Sequence, residues 1–220
     1  MKKLINQAHK DIKNALRICN NPVIAFSGGK DALTTAHLFA QHGIKTAVCE
    51  LSHYYAKVRT NIVEQQKFLG LDVTYYDSLD DEWVRKHPEI IFSEDAKIRA
   101  WTFLVRQQRT VAKHAKEHGH DLITFGRRTQ ENSVPSILYQ NKSGWSFHPL
   151  RNWRTEHVWE YLELEGVPAP WVYSTEHGRT EGNSPFYTLE SKHYGGVKET
   201  WDVVTACDPT MTPERYGIKL

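Results

Sequence analysis

Short apolar runs alternate with helical stretches along most of the chain, and this alternation constrains the fold more than any other feature of the sequence. Apolar runs predict strands at 23–26, 45–51, 73–76, 122–125 and 145–150. Apolar residues spaced for one helix face predict helices at 3–18, 31–42, 57–69, 97–118 and 155–165, with Thr155 as the cap of the last. Strands separated by helices favour parallel pairing. We therefore expect an α/β fold, a doubly wound and mainly parallel sheet with helices on both faces.

The composition is that of a globular protein, and it argues against several other classes. The 220 residues are 40% apolar and 25% charged, with a net charge of +2, which permits an anionic ligand but does not argue for a nucleic-acid coat. No apolar run approaches the roughly 18 residues needed to span a bilayer. The amphipathic N-terminus does not read as a signal peptide, so we expect a cytoplasmic protein with no membrane partner.

The chain has one sizeable unit and a compositionally different tail. We expect a nucleotide-binding α/β domain with an N-terminal helix over residues 1–170. Residues 171–220 are richer in Gly, Pro, Ser and Tyr, and we expect them to form an extension over the active-site edge of the sheet. Aromatic residues near the C-terminus are compatible with a homodimer.

The stretch SGGKDA lies directly between the first strand and the following helix. Gly28 and Gly29 let backbone N–H groups approach an anion, and the helix N-terminus adds a favourable dipole. Ser27 can donate a hydroxyl, Lys30 can neutralise phosphate, and Asp31 can hold Mg²⁺ directly or through water. A glycine-rich turn without a ligand is the alternative, but the flanking strand and helix favour a phosphate-binding loop.

Two further polar groups follow predicted strands, and they are candidates for the same site. Glu50 ends the second strand, where a carboxylate can accept a ribose hydroxyl or an adenine amino group, or act only as a surface charge. Gly126, Arg127 and Arg128 follow the fourth strand, and guanidinium groups bind phosphate or sulfate with two parallel hydrogen bonds. Because the carboxyl ends of parallel strands share one edge, these groups should converge there, with Glu131 and Asn132 orienting the arginines.

Four motifs in the same order carry a family resemblance that covers about residues 20–180. SGGKDA resembles the SGGxD[ST] signature of the PP-loop adenine nucleotide alpha-hydrolase superfamily, and the chain is similar to its phosphoadenosine phosphosulfate (PAPS) reductase-like family. The other three matching stretches are CELSHYYAKVRTNIVEQQKFLGL, LITFGRRTQENS and HPLRNWRTEHVWEYLELEGVP. The resemblance implies a HUP/PP-loop ATP pyrophosphatase-like fold and an adenine nucleotide ligand, either ATP with Mg²⁺ or PAPS/APS.

The chain departs from this family where reductases carry their chemistry. Ala32 stands where the family usually has Ser or Thr, so one hydroxyl donor is missing. Thiol-using relatives have an ECGLH-type tail, whereas Cys207 lies in TACDPT, and Asn183 stands where a Gly-Cys-x-x-Cys segment is expected. Together with Cys19 and Cys49, which form no CxxC pair, this leaves no evident thiolate nucleophile.

The residues therefore favour an adenylyltransferase or ATP pyrophosphatase-type enzyme over a reductase. An acceptor, a small molecule or a nucleic acid, would attack the α-phosphate of ATP, and pyrophosphate would leave into the loop held by Ser27, Gly28 and Gly29. The expected catalytic residues are Lys30, Arg127 and Arg128, which would offset the developing negative charge, and Asp31, which would position Mg²⁺. This chemistry needs positioning and electrostatics rather than a side-chain nucleophile. Two alternatives stay open: a sulfonucleotide reductase or sulfotransfer-type enzyme with a partner-supplied thiol or Cys207, and a non-catalytic nucleotide-binding subunit.

For several other groups, a position on the surface or in the core is favoured over a role in ligand binding. His114 and His118 are read as a solvated helix end beside Gly119, and Trp159 as a core residue. Basic side chains on the helix over 97–118 are read as a solvated face, with Trp101 and the apolar residues that follow it packed inward. Three basic residues lie near the fifth strand and are candidates to meet the acceptor: His148, Arg151 and Arg154.

Overall fold

The structure is a computed structural model that describes residues 1–50, 56–76, 82, 86–103, 109–130, 134–142, 144–170, 173 and 196–219, without the side chains of Ala56, Arg99, Ala100, Thr102, Phe103 and Cys207. The helices are α1 Lys2–Ile18, α2 Lys30–Ala40, α3 Ala56–Leu69, α4 Ala96–Phe103, α5 Thr110–Glu117, α6 Thr155–Leu164 and α7 Val197–Cys207. The strands are β1 Pro22–Ala25, β2 Thr46–Glu50, β3 Asp72–Tyr76, β4 Leu122–Thr124, β5 Leu138–Asn141 and β6 Gly144–Phe147. Short 3-10 helices span Pro88–Ile90 and Pro213–Tyr216.

Six strands form one sheet in the order β3-β2-β1-β4-β6-β5. The first five in this order pair in parallel, and β5 pairs antiparallel with β6. The order runs outward in both directions from β1, as in a doubly wound sheet. The predicted fold class, a mainly parallel α/β sheet, is therefore confirmed.

Helices cover both faces of the central strands, and the alternation of side chains along β1 shows this directly. Ile24 belongs to the large core that includes residues of α1 and α2, whereas its neighbour Val23 packs in a smaller cluster with Val111 and Ala115 of α5. Successive side chains of a strand point to opposite faces, so both faces of β1 are buried under helices. This explains why the central strands read as continuous apolar runs without polar alternation.

Four local predictions differ from the structure. The helix predicted over 97–118 is described as α4 and α5, and residues 104–108 lie outside the described residues. The antiparallel strand β5 was not predicted. Thr155 is the first helical residue of α6 and not its cap, which is Arg154. Trp101 was predicted to pack inward, but 38% of its surface is exposed.

The described part of the C-terminal segment packs on the loop before α4. Trp201 of α7 is buried and makes an edge-to-face contact with Phe92, with ring centroids 5.0 Å apart. Residues 174–195 lie outside the described residues, so the prediction that 171–220 covers the active-site edge stays a prediction. In the part of the chain that is described, no helix is long and apolar enough to cross a membrane.

Candidate functional site

The residues predicted to contact a ligand all follow or end strands at one edge of the sheet. Ser27 comes two residues after β1, Glu50 ends β2, and Gly126, Arg127 and Arg128 follow β4. Because β2, β1 and β4 are adjacent and parallel, their carboxyl ends meet at this edge. Ligands of open α/β sheets bind in this position.

The loop between β1 and α2 is shaped by its two glycines. Gly28 has φ +72°, and a Cβ atom at this position would lie 2.4 Å from Cγ1 of Ile62. Its backbone conformation and its contact with α3 both require glycine. Gly29 is the N-cap of α2, and its carbonyl accepts the N–H of Leu33 at 2.8 Å. The helix therefore begins at Lys30, and its first-turn N–H groups point back towards the loop, where they favour an anion.

Gly126 holds the loop after β4 directly against the start of α2. A Cβ atom on Gly126 would lie 2.6 Å from the carbonyl carbon of Asp31 and 2.9 Å from the backbone nitrogen of Ala32. These are backbone atoms, so no side-chain movement could relieve the clash. The two loops predicted to share a site are thus in contact, and only glycine allows them to approach so closely.

Asp31 lies between two buried cations. Nζ of Lys30 is 3.1 Å from Oδ2 of Asp31, and Nε of Arg128 is 2.8 Å from Oδ1. The second contact is an ion pair without the alignment of a hydrogen bond, while Nη2 of Arg128 donates to Oδ2 at 3.5 Å. Lys30 is 4% exposed and Arg128 is fully buried. The contacts among the described residues therefore bring two buried cations to one carboxylate beside the phosphate-type loop.

Arg128 also connects the site to the start of α6. Its Nη1 donates to Oε1 of Gln130 at 2.9 Å and to the hydroxyl of Thr155 at 3.0 Å. The backbone N–H of Thr155 donates to the same Gln130 oxygen at 2.9 Å. Arg128 is thus anchored on three elements, and its predicted contact with a ligand stays a prediction. Gln130 and Thr155 were not predicted as site residues, because nothing in the sequence relates them to Asp31.

Arg127 points to different surroundings from its neighbour Arg128. Its guanidinium carbon lies 5.6 Å from the centre of the Phe125 ring, and partial burial lowers the pKa of Arg127. Phe125 also stacks on His148, which follows β6. Burial and, to a lesser extent, the nearby charge of Arg127 lower the pKa of His148 to about 4. His148, predicted as a basic group, is therefore a neutral imidazole at pH 7.

The remaining predicted contacts are more open. Ser27 is exposed, and Glu50 is half-buried and lies opposite Tyr76 of β3 in the sheet register. Tyr173 is a site neighbour that the sequence did not single out. Its ring centre lies 5.7 Å from Nζ of Lys30, and it packs edge-to-face on Trp159, which is partly buried against the core as predicted.

Residues 21–188 match the phosphoadenosine phosphosulfate reductase domain, and this match covers more than half of the chain. The chain belongs to this family. No curated protein sequence matches it.

Solved structures of related fold extend the comparison. A PAPS reductase from Candida auris, in complex with phosphate, has a TM-score of 0.61 at 14% identity and covers 74% of this chain and 82% of its own. An NMN synthetase from Francisella tularensis has a TM-score of 0.54 at 16% identity, covering 98% and 89%. The U34-tRNA thiolase NcsA from Methanococcus maripaludis, with its [4Fe-4S] cluster, has a TM-score of 0.54 at 12% identity, covering 98% and 77%. At these identities the likeness shows the fold of the PAPS reductase-family chain, not its reaction.

The surroundings of Asp31 do not suit Mg²⁺ bound directly to its carboxylate. Its two oxygens already contact Lys30 and Arg128, and both cations would repel a divalent ion at the same distance. Within the described residues, no group of three or more His, Cys, Asp or Glu side chains could hold a metal ion. Direct coordination of Mg²⁺ by Asp31 stays a prediction, and this geometry argues against it. A Mg²⁺ ion bound to the phosphates of the nucleotide would need no such coordination.

The two cysteines with described side chains are buried and do not reach the surface of the site. Cys19 and Cys49 are both at most 1% exposed, and burial raises the pKa of the Cys19 thiol. Neither can present a thiolate to a bound nucleotide. The side chain of Cys207 and residue Asn183 lie outside the described residues, as do Glu131 and Asn132, the predicted partners of the arginines.

The other basic groups are only partly as predicted. Arg151 donates to the carbonyl of Val134, and Arg154 is exposed at the start of α6. His118 is exposed as predicted, but His114 is 1% exposed, so reading both as solvated was wrong. The ring of His114 stacks on His118, and its Nδ1 shares a hydrogen bond with the hydroxyl of Tyr76.

Proposed function

We propose that this PAPS reductase-family chain binds an adenine nucleotide and transfers the adenylyl group of ATP to an acceptor, releasing pyrophosphate. One observation carries the proposal: two buried cations, Lys30 and Arg128, flank the Asp31 carboxylate beside a glycine loop and a helix N-terminus. Buried cations and helix N–H groups at one place favour phosphate groups there.

The proposed reaction uses binding and charge rather than a covalent intermediate. A nucleophilic oxygen of the acceptor forms a bond to the α-phosphorus as the bond from that phosphorus to the bridging oxygen breaks. Pyrophosphate leaves with the bonding electrons, and the acceptor's proton passes to solvent. The loop of Ser27, Gly28 and Gly29 would hold the pyrophosphate, and Lys30 and Arg127 would offset its developing charge. Asp31 and Arg128 would fix the loop, and Glu50 would bind the ribose or the adenine amino group.

The burial of the described cysteines favours a reaction that needs no protein thiol. The two cysteines with described side chains are buried in the core, so a thiolate attack on a sulfonucleotide would have to come from Cys207 or from a partner. Of the three structural neighbours, one is a PAPS reductase, whereas the others are an NMN synthetase and a tRNA thiolase. The shared fold is therefore not tied to reduction. The acceptor class, a cytoplasmic location and a homodimer remain part of the proposal.

Pyrophosphate release tests the proposal against its alternatives. We expect ATP with a panel of small-molecule and RNA acceptors to yield pyrophosphate, and Lys30→Ala to reduce the release by about a hundredfold, as for loss of one preorganised charge. Lys10→Ala is the matched control, since Lys10 is exposed on α1 and should leave the release unchanged.

The alternatives give different results in the same preparation. Sulfite release from PAPS with thioredoxin, lost in Cys207→Ser, would replace the proposal with a reductase. Tight ATP binding by calorimetry without turnover on any acceptor would leave a nucleotide-binding subunit.

A further inference from the structure

His148 is the most completely buried histidine at the carboxyl edge of the sheet, and it lies between two aromatic rings. It is 1% exposed. Its ring stacks on Phe125 from the loop after β4, at 5.6 Å and 17°, and on Tyr139 of β5, at 5.6 Å and 10°. Three nearly parallel rings therefore fill the space between the ends of β4, β5 and β6.

The polar atoms of this imidazole are not used by the protein. Among the described residues, neither Nδ1 nor Nε2 of His148 finds a hydrogen-bond partner, although both atoms are buried. Each buried unsatisfied polar atom costs about 1–3 kcal/mol. A phenylalanine would fill the same space between two rings without this cost, so stability alone does not account for a histidine here.

The charged neighbour of His148 is Arg127, and the two share Phe125 as a contact. Arg127 lies over the Phe125 ring, and its charge acts on His148. Tyr139 is the other titratable group that faces the imidazole. The order of strands places these groups on the β4–β6 side of the phosphate-type loop, whereas Glu50 lies on the β2 side.

We propose that His148 is a positioning residue for Arg127, and that the two form the wall of the nucleotide site that receives an anionic group, a phosphate or sulfate, on the β4–β6 side of the loop. The inference rests on the proposed nucleotide site and adds a residue to it. A neutral His148 does not oppose Arg127, whereas a protonated imidazole at this position would repel the guanidinium.

Anion binding and proton binding at this wall are coupled with a definite sign. The free imidazole is neutral partly because Arg127 is near it. An anion on Arg127 offsets that charge, so the His148 pKa, about 4 in the free protein, rises when the nucleotide binds. By linkage, His148 takes up part of a proton when the nucleotide binds, increasingly so as the pH falls towards this value.

A double-mutant cycle on ATP affinity at pH 7 tests the positioning role. By calorimetry, His148→Phe, which keeps an aromatic ring between Phe125 and Tyr139 but removes both ring nitrogens, should weaken ATP binding about tenfold, a coupling within the range for residues that share a partner. In an Arg127→Gln background the same change should weaken binding less than about twofold, because there is no guanidinium left to position. Equal losses in both backgrounds would mean that His148 only packs, and would overturn the inference. If His148→Phe does not fold, His148→Asn replaces it in the same cycle.

The imidazole itself gives an independent readout. The Cε1 proton of His148, assigned by its absence in His148→Phe, should titrate by NMR at a higher pH with saturating ATP than without it. ATP binding with an unchanged titration and an additive cycle overturns the inference but leaves the proposed function standing. No binding of ATP to the wild-type chain overturns both.

Discussion

The three charged groups at the phosphate-type loop, Lys30, Asp31 and Arg128, allow a prediction that distinguishes this site from an ordinary surface ion pair. Within the described residues, Asp31 is the carboxylate that contacts both Lys30 and Arg128, so Asp31→Asn removes the negative charge between two buried cations. Arg128→Met leaves a balanced Lys30–Asp31 pair, and Gln130 and Thr155 remain bonded to each other. Asp31→Asn should therefore destabilise the free protein more than Arg128→Met, although Asp31 is the more exposed residue.

The magnitudes follow from the burial of the groups. Removing one partner of a buried pair costs about 3–5 kcal/mol, and this range applies to Asp31→Asn. For Arg128→Met we expect about 2–3 kcal/mol, since the remaining charges still pair. In a chain of this length each kcal/mol lowers Tm by about 2–4 °C, so Asp31→Asn should lower Tm by about 6–20 °C and Arg128→Met by about 4–12 °C.

Urea and thermal unfolding, followed by far-UV circular dichroism at pH 7 without nucleotide, measure both variants. Arg154→Met is the matched control, because Arg154 is exposed and its loss should change stability by less than about 0.5 kcal/mol. Inorganic phosphate should raise the Tm of Asp31→Asn more than the Tm of the wild type, since the anion supplies the missing negative charge. The reasoning is refuted if Arg128→Met is the more destabilising change, or if both cost less than about 1 kcal/mol.

Three further predictions concern separate parts of the molecule. Gly126→Ala should destabilise the fold by more than about 2 kcal/mol in urea unfolding, because its Cβ would meet the backbone of Asp31. Gly43 has a φ of +78° and open space around a Cβ atom, so Gly43→Ala meets only backbone strain and should cost less. Burial lowers the pKa of His114, so the folded state binds fewer protons than the unfolded state near pH 6, and stability should fall as the pH drops below about 6.5. His114→Gln should therefore make Tm less dependent on pH between 7 and 5, and an unchanged slope of Tm against pH would contradict this. Tyr173→Ala should weaken ATP binding in calorimetry more than Tyr173→Phe does, because the ring faces Lys30; equal losses would assign the effect to the hydroxyl.

The fold was readable from the sequence wherever burial set the pattern. The central strands are covered on both sides, so they appear as continuous apolar runs, and the helices between them show one apolar face. β5 was missed for the opposite reason. Its four residues, LYQN, lie at the antiparallel edge of the sheet, with no fully buried side chain among them, and such a strand has no apolar signal. α7 was also missed, and its contact of Trp201 with Phe92 joins parts of the chain whose meeting the local pattern does not show.

The candidate site was readable only in part, and Arg127 and Arg128 show why. A strand end followed by Gly-Arg-Arg indicates where both arginines start, but not where their side chains go. Arg128 is committed to Asp31, Gln130 and Thr155, whereas Arg127 lies against Phe125 beside a neutral His148. These partners come from the start of α2, from the loops after β4 and β6 and from the start of α6, and their meeting depends on the order of strands, which the sequence does not state. Replacement of the two arginines should therefore have different effects. Loss of Arg128 should act first on stability, and loss of Arg127 first on ligand affinity, although the sequence presents them as equivalent neighbours.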